Sequence, residues 1–382
     1  MANSLLTTDL LLQVSGQMLE DQMVYGNNAN MEHKTDFAAK VGDEIRYNIP
    51  IKSDGHLKSE TGAIDQVTDI TEVPITLKIE ELAYDKVTLT DAELSWEIDT
   101  FAERFIKPRI NAIVRQVDLY TKSVAGAFAA NMIGDVGSNP TTHDHLLAAK
   151  EAHFINSLDD NPTVGIITPR AQTNLRKLNI SNSTDYGTDK PMALRKSYLT
   201  EMENTTFFRS ALAGTFDRGA IAGTPLTNGG AAAGATVLPI DGLSGDDDTR
   251  INIGARFILT GSDTTIYTVM ERGTITSGAA NLVVYPAIQA NAADGVALTF
   301  QTAHIENYIY EKQTLALAVL PTADGPNVKG ITITTPEGNK LGISILTTNV
   351  NDTTLSRTMQ WQCYLGGKVF QHERGVCMQG AS

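Results

Sequence analysis

The most regular pattern in the chain lies in IKPRINAIVRQVDLYTKSVAGAFAANM, residues 106–132. Its large apolar residues recur every three or four positions, which places them on one stripe of an α-helix. The stripe consists of Ile106, Ile110, Ile113, Val117, Tyr120, Val124, Phe128 and Met132. We predict a helix over residues 98–132, which Pro108 either kinks or begins. At about 1.5 Å per residue it would be roughly 50 Å long, which suits a thin, extended protein.

Two segments before this helix alternate polar and apolar residues, the pattern of half-buried strands. They are Glu44–Pro50 and Val73–Glu80, and a polar stretch over residues 58–69 lies between them. A two-stranded hairpin is only marginally stable alone in water, so we expect this one to lean on another element, such as a second subunit. The polar residues 1–42, with a loop at Gly26–Asn30, are predicted to form an N-terminal arm.

Mixed helix and strand signals follow the long helix. Thr142 can cap a helix that includes Phe154. A short buried strand is predicted at Val164–Ile167, and Pro169 can begin a second helix. Thr205–Arg209 is a further strand candidate. Helices and strands in separate blocks predict the α+β class.

The composition changes near Ala220, where a linker rich in Gly, Ala and Asn begins. Short strands separated by turn residues follow, and helix signals are missing from this stretch of sequence. The predicted strands are Thr236–Ile240, Ile253–Thr260, Ile266–Glu271, Leu282–Tyr285 and Val296–Phe300. Several short strands at this spacing predict a small β-barrel, inserted into a larger domain.

A mixed pattern returns after His304. Glu311–Leu320 is apolar on one face and is predicted to form a short helix. The strands predicted after it are Ile331–Thr334, Ile343–Thr347, Thr358–Tyr364, Lys368–His372 and Val376–Met378. These strands could complete a sheet that begins before the inserted segment.

Composition excludes several classes of protein. The 382 residues include 30 Lys and Arg against 44 Asp and Glu, a formal charge of −14, which disfavours tight binding to a phosphate backbone. The chain contains no apolar run of the roughly 20 residues that a membrane helix needs. The N-terminal residues lack a positive charge before their apolar patch, so we expect them to belong to the mature chain. Cys363 and Cys377 are predicted to be reduced, buried thiols.

Catalytic signatures are missing from the sequence, so we do not expect an enzyme or a cofactor. Gly366-Gly367-Lys368 lacks the upstream glycine of a phosphate-binding loop and is predicted to be a turn between strands. His143-Asp144-His145 has the wrong spacing for two metal ligands on one helix face. We interpret it as the start of a helix, with a metal-dependent hydrolase as a weak alternative. Trp361 and Tyr364 are predicted to pack in the sheet.

An acidic triplet stands out in the inserted segment. Asp246, Asp247 and Asp248 lack the spacing of a calcium-binding loop. They could form a solvated loop, or a contact loop that pairs with Arg or Lys of a neighbouring molecule. Together with Arg250, they are our candidates for contacts between subunits. Lys58 and Glu60, in the loop of the predicted hairpin, are further candidates.

The order of elements resembles the major capsid (coat) protein of tailed bacteriophages, the Hong Kong 97 type fold. The closing run Tyr364–Phe370, followed by Gly375-Val376, is similar to the last strands of that family. The inserted barrel resembles the subgroup of Salmonella phage P22-like coat proteins. The resemblance implies an N-terminal arm, an extended hairpin loop, a spine-helix region, an axial domain in two parts and an inserted barrel. Their bounds would be 1–42, 43–90, 91–141, 142–221 with 304–382, and 222–303.

This resemblance implies a structural protein of the virion. Subunits would form pentamers and hexamers that tile an icosahedral head around double-stranded DNA, without sequence-specific binding and without a membrane. A scaffolding protein and a portal protein would be partners, and assembly would take place in the host cytoplasm. Two alternatives remain open: the shell protein of a cellular nanocompartment, and a phage tail or decoration protein.

Overall fold

The computed structural model describes residues 23–32, 44–49, 73–90, 107–134, 143–157, 161–181, 201–202, 204–219, 221–244, 250–261, 264–302, 304–322, 328–334, 340–351 and 356–380. The fold contains both helices and strands, with strands dominating. None of the helices in these ranges has the length and apolar character required to cross a bilayer.

Three α-helices are described: α1 (Lys107–Ala125), α2 (His143–Ser157) and α3 (Pro169–Ser181). The strands before the inserted segment are β1 (Glu44–Ile49), β2 (Val73–Thr90), β3 (Met132–Ile133), β4 (Thr163–Ile167), β5 (Glu201–Met202) and β6 (Thr205–Arg209). Those of the inserted segment are β7 (Ala222–Thr227), β8 (Val237–Ser244), β9 (Arg250–Ile251), β10 (Arg256–Leu259), β11 (Ile266–Val269), β12 (Gly273–Thr274), β13 (Ala280–Tyr285) and β14 (Leu298–Phe300). The last are β15 (Ile305–Tyr310), β16 (Leu315–Leu320), β17 (Val328–Thr334), β18 (Lys340–Asn351), β19 (Ser356–Val369) and β20 (Gly375–Gly380).

The first sheet carries the hairpin predicted from the sequence. Its strand order is β1-β2-β19-β18-β17, and β16 also pairs with β19. Strand β2 is antiparallel to β19 from Thr90 to Ile79, and it then leaves β19 and pairs with β1 over residues 73–78. One face of the sheet, with Trp361 at its centre, packs on α1 in the largest hydrophobic core of the described chain.

The second sheet lies between two helical layers. Its order is β3-β20-β15-β4-β6-β5. Tyr308 and Tyr310 point from one face into the core that contains α1. Ile309 and Val376 point from the other face into a separate core shared with α2 and α3. Neighbouring residues alternate between two cores because side chains alternate across a strand.

The inserted segment forms a third sheet, ordered β14-β10-β11-β13-β8-β7. Its two end strands are also joined, because the Thr227 N–H donates to the Val296 carbonyl and the Gly295 N–H donates to the Thr227 carbonyl, each at 2.9 Å. The segment has a hydrophobic core of its own, with Phe257 and Tyr267 fully buried in it. We call residues 221–302 the inserted module.

The helix predicted over residues 98–132 is shorter in the structure. Residues 98–106 lie outside the described residues. Pro108 stands in the first turn of α1, where a missing N–H is tolerated. The C-terminal part of the prediction was wrong, because a 3-10 helix replaces α1 at Gly126 and β3 follows. At Gly126 the backbone touches the inserted module, and a Cβ there would lie 2.5 Å from the Ile253 carbonyl oxygen.

The helix predicted at Glu311–Leu320 was also wrong. A single 3-10 turn leads into β16, all six residues of which are buried. A continuous apolar run buried on both faces has no period that separates strand from helix. The strand Ile305–Tyr310 was missed, and the strand predicted at Lys368–His372 is divided between the end of β19 and a 3-10 turn.

The turn predicted at Gly366-Gly367 was wrong as well, because both glycines lie inside β19. The register against β2 shifts between Leu365 and Gly366, where β2 leaves β19. A Cβ on Gly366 would lie 2.6 Å from the Lys78 carbonyl oxygen. Glycine therefore permits the close approach of the two backbones at the point where the hairpin departs.

We expect Gly366→Ala to lower the free energy of unfolding by about 1–3 kcal/mol, because the added methyl group meets backbone rather than a movable side chain. Gly214→Ala is the matched control, since the nearest atom to its Cβ is 3.8 Å away. Urea unfolding of both variants measures the difference. Equal stabilities of the two variants would contradict this explanation of the register shift at Gly366.

Candidate functional site

The structure describes one of the four predicted contact residues in the inserted segment. Arg250 begins β9, and its Nη1 lies 3.0 Å from Glu81 Oε1 of the same chain. Asp246, Asp247 and Asp248 lie outside the described residues, as do Lys58 and Glu60 of the hairpin loop. A role of these residues in contacts between subunits stays a prediction.

The other residues singled out in the sequence have structural positions. His143 begins α2 and Asp144 lies in its first turn, so the interpretation as a helix start is confirmed. Within the described part of the chain, no group of three or more His, Cys, Asp or Glu side chains is arranged to hold a metal ion. Cys363 and Cys377 are buried thiols outside any disulfide, and Trp361 is fully buried, as predicted.

The hairpin of β1 and the first half of β2 has two different faces. Glu44, Arg46 and Asn48 are exposed, whereas Ile45 and Tyr47 are half-buried. The Tyr47 ring lies 5.4 Å from the ring of Phe370, which ties the base of the hairpin to its own sheet. Within the described part of the chain β1 pairs with β2 alone, which makes it the end strand of the first sheet.

Residues 23–32 of the predicted arm are held against α1. Asp118 of α1 is 2% exposed and accepts hydrogen bonds from the N–H groups of Val24 (2.9 Å) and Gly26 (3.0 Å). Burial raises the pKa of Asp118, although these backbone hydrogen bonds act in the opposite direction. Further along, the Asn30 N–H donates to the Leu315 carbonyl and the Leu317 N–H donates to the Asn30 carbonyl. The arm thereby adds a short parallel segment to the free edge of β16.

A charged cluster joins the inserted module to the rest of the chain. The Glu81 carboxylate of β2 binds two guanidinium groups of the module, those of Arg250 and Arg272. Arg272 Nη2 also donates to Ser123 Oγ of α1 at 3.0 Å, and its guanidinium lies 5.6 Å from the centre of the Tyr120 ring. We call these residues the Glu81 clamp. A groove of about 240 Å³ lies beside it, between β2 and α1.

A second polar cluster lies where the chain leaves the module. His304 Nε2 is 3.0 Å from Glu306 Oε1, and His304 Nδ1 is 2.9 Å from the Thr302 carbonyl oxygen. The Tyr308 hydroxyl donates to the other oxygen of Glu306, which is fully buried. Burial alone would lower the pKa of His304, but the hydrogen bonds to Glu306 and Thr302 outweigh it and raise that pKa. The geometry thus favours a buried ion pair that fixes the exit of the module.

A third polar cluster supports α2 on the second sheet. His153 Nε2 lies 3.1 Å from Glu311 Oε1, and Arg374 Nη1 lies 3.0 Å from the other oxygen of that carboxylate. Burial is the main cause of a lowered pKa at His153, and the nearby Glu311 opposes it. The first and third clusters could not be found from the sequence, because their partners come from distant elements. The second cluster did leave a signal that was missed, since His304, Glu306 and Tyr308 alternate along one segment.

Large apolar side chains are exposed at three places. They are Leu82 and Tyr84 on β2; Leu147, Phe154 and Ile155 on α2; and Val237, Ile258 and Ile266 on the inserted module. Scattered exposed apolar residues are ordinary, whereas grouped ones mark contact sites. The described surface therefore offers an end strand, β1, and exposed apolar patches, but no catalytic arrangement that we can identify.

Comparison with known proteins gives similarity in structure alone. No protein-family model matches the sequence, and no curated protein matches it. A chain from Mycobacterium phage Che8 aligns with a TM-score of 0.50 at 11% identity, over 94% of this chain and 91% of the other. The capsid structure of cyanophage P-SCSP1u gives 0.49 at 12% identity, over 95% and 89%. A virus-like particle from Pyrococcus furiosus gives 0.43 at 10% identity, over 97% and 98%.

The chain shares its fold with solved chains of phage capsids, a likeness of fold alone. The predicted resemblance is confirmed at this level, as a capsid-like fold of mixed α and β content. Of the three similarities, the one to the phage Che8 chain reaches a TM-score of 0.5. At 11% identity it shows a shared fold over most of both chains, and function has to be argued from the surfaces described above.

We expect Asp118→Asn to release the arm from α1, because the amide presents an N–H₂ group to backbone donors that now face a carboxylate. The free energy of unfolding should fall by about 1–3 kcal/mol. Amide hydrogen exchange at Val24 and Gly26 should accelerate. Asp217→Asn is the matched control, since Asp217 accepts one backbone N–H, that of Gly219, at an exposed site. Slow exchange at Val24 and Gly26 in Asp118→Asn would contradict this role.

We expect the His304–Glu306 pair to make stability depend on pH. A histidine with a raised pKa in the folded state contributes stability below its unfolded pKa of about 6.5, and this contribution is lost as pH rises through the folded pKa. The stability gap between wild type and His304→Gln should therefore shrink from pH 6 to pH 9.

His372→Gln is the control for this measurement. Burial lowers the pKa of His372, so the gap between wild type and this variant should grow with pH. Urea unfolding at four pH values gives both gaps. If the two differences in free energy of unfolding change in the same direction with pH, the proposed His304–Glu306 ion pair does not form.

Proposed function

We propose that the chain is a shell-forming major capsid protein. The observation that carries the proposal is the hairpin of β1 and residues 73–78, which leaves β19 at Gly366 and places β1 as the end strand of the described first sheet. An end strand can template pairing with another chain. We therefore expect a second copy to pair with β1 in the shell.

The rest of the molecule supports the same proposal. The fold is shared with a phage chain over most of both lengths. The arm reaches across α1 to β16, and elements that lap over surfaces in this way can contact neighbours from several angles. Stability of such a subunit depends on assembly, because part of its apolar surface is covered only by other subunits.

We propose that these subunits form pentamers and hexamers in an icosahedral head. The regions would be an arm (1–42), an extended hairpin loop (43–90), a spine-helix region (91–141), an axial domain (142–221 and 304–382) and an inserted barrel (222–303). A six-stranded sheet with hydrogen-bonded ends and a core of its own supports the barrel. The protein would be structural and would have no catalytic role.

Double-stranded DNA is the proposed content of the shell. A formal charge of −14 suits a shell lining that encloses DNA without binding tightly to its phosphate backbone. A scaffolding protein and a portal protein would direct assembly in the host cytoplasm, and the mature protein would reside in the virion. The alternative is the shell of a cellular nanocompartment. The inserted module favours a phage head, because nanocompartment shells usually resemble the form of this fold that lacks the insertion.

Negative-stain electron microscopy of the recombinant chain tests the proposal. We expect closed shells, tubes or spirals, alone or after a scaffolding protein is added. A small oligomer of fixed size that scaffolding protein does not change would contradict it. Nuclease-protected DNA in particles isolated from a producing host would separate a phage head from a nanocompartment.

We expect the acidic loop of the module to contribute to assembly. Replacing Asp246, Asp247 and Asp248 by Ser keeps the chain length and leaves the Arg250–Glu81 pair in place. The monomer should stay soluble and folded, while the assembled fraction in sedimentation should fall several-fold. Thr224→Ala, at an exposed site of the module, is the control. Undiminished assembly of the triple variant would remove the loop from the proposal.

A further inference from the structure

Helix α2 has an apolar outer face. Its inner side, with Leu146, Ala149 and His153, is buried against the second sheet. The five exposed positions on the opposite side are Asp144, Leu147, Glu151, Phe154 and Ile155. At about 100° per residue they fall within one arc of roughly 100°. We call these five residues the α2 outer face.

This pattern is unusual for a surface helix. Such a helix carries apolar residues toward its core and polar ones toward water, and a helix that is apolar on all sides is normally buried. Yet Leu147, Phe154 and Ile155 are 48%, 54% and 63% exposed. Three large apolar side chains on four turns of helix leave an apolar patch that another molecule can cover.

The charges around the patch point to its occupant. Asp144 and Glu151 make the α2 outer face acidic, and the neighbouring Lys150 turns away to donate to Thr163 Oγ1 at 3.2 Å. An occupant should therefore carry exposed basic groups, on a surface about as large as the α2 outer face.

The chain itself has such a basic corner. Arg170 lies in the first turn of α3, directly after β4, and Arg209 ends β6, which pairs in register with β4. Both arginines are exposed, and neither forms an ion pair with another described residue. This corner belongs to the β4–β6 half of the second sheet, whereas α2 packs mainly on β20 and β3 at the other half. Opposite charges thus lie at opposite halves of one sheet.

We infer that the α2 outer face of one copy binds the Arg170–Arg209 corner of the next. A contact between two different surfaces of the same chain is heterologous, and it closes into a ring when the rotation between copies allows. The inference rests on the proposed shell function and names the two surfaces through which copies would meet around a ring.

Charge reversal with rescue tests the inference. Glu151→Arg places like charges opposite the basic corner, and Arg170→Glu with Arg209→Glu places like charges opposite the acidic face. Each should weaken assembly at least about tenfold, measured by sedimentation velocity under conditions in which wild type assembles. The variant that combines all three changes should recover assembly to within about threefold of wild type. Far-ultraviolet circular dichroism of the unassembled chains verifies that each variant folds.

A second set of variants tests the contribution of the apolar side chains of the α2 outer face. Phe154→Ser with Ile155→Ser should weaken assembly, while Val237→Ser, an exposed apolar residue on the module, should not. If wild type assembles and none of the charge reversals changes that assembly, the inference is overturned while the proposed shell function stands. Single reversals that the combined variant fails to rescue would overturn it too, as would losses seen only when a scaffolding protein is present. A wild-type chain that never assembles would instead contradict the shell function itself.

Discussion

The long antiparallel pairing of β2 with β19 is the interaction on which the other parts of the structure depend. It fixes a sheet face on which α1 packs through Trp361, and it determines where the hairpin begins, because β2 turns from β19 to β1 at Gly366. The same strand supplies Glu81 to the inserted module and Asp85 to Arg109 of α1, at 3.2 Å. One strand therefore connects α1, the inserted module and the hairpin.

The module is attached in a different manner from the rest. It has its own hydrophobic core, so its internal stability does not depend on the sheets around it. Its attachment combines charged and apolar contacts: the Glu81 clamp on one side, and Ile253 and Met270 packed against the main core. The charged contacts depend on geometry and pH more strongly than apolar packing does.

The sequence predicted those elements whose pattern reflects a single buried face. Glu44–Ile49, the helix from Pro169 and the strand Thr205–Arg209 all have a regular alternation or a clear start signal. The second half of β2 was missed because its pattern is inverted: Leu82 and Tyr84 face outward, while Glu81 and Asp85 face the protein. The inversion follows from the contacts of β2. Its inward carboxylates bind arginines of the same chain, and its outward apolar groups are available to another molecule.

The other errors have physical causes of the same kind. LALAVL in β16 is buried on both faces, so its period does not reveal whether it is strand or helix. Two of the polar clusters join residues that are far apart in sequence, such as Glu81 and Arg272, and a single sequence carries no signal for such pairs. The α2 outer face did leave a signal, since Leu147, Phe154 and Ile155 lie opposite the buried Leu146 and Ala149. We read this segment as an ordinary helix because its cap and length were clear.

We propose that β1, the end strand of the described first sheet, pairs with another copy of the chain in the shell. Amide hydrogen exchange, read by mass spectrometry on unassembled subunits and on assembled shells, tests this claim most directly. We predict that the amides of Glu44–Ile49 exchange fast in the subunit and slowly in the shell, while those of the β2–β19 ladder are slow in both. Equal exchange at Glu44–Ile49 in the two states would contradict the claim.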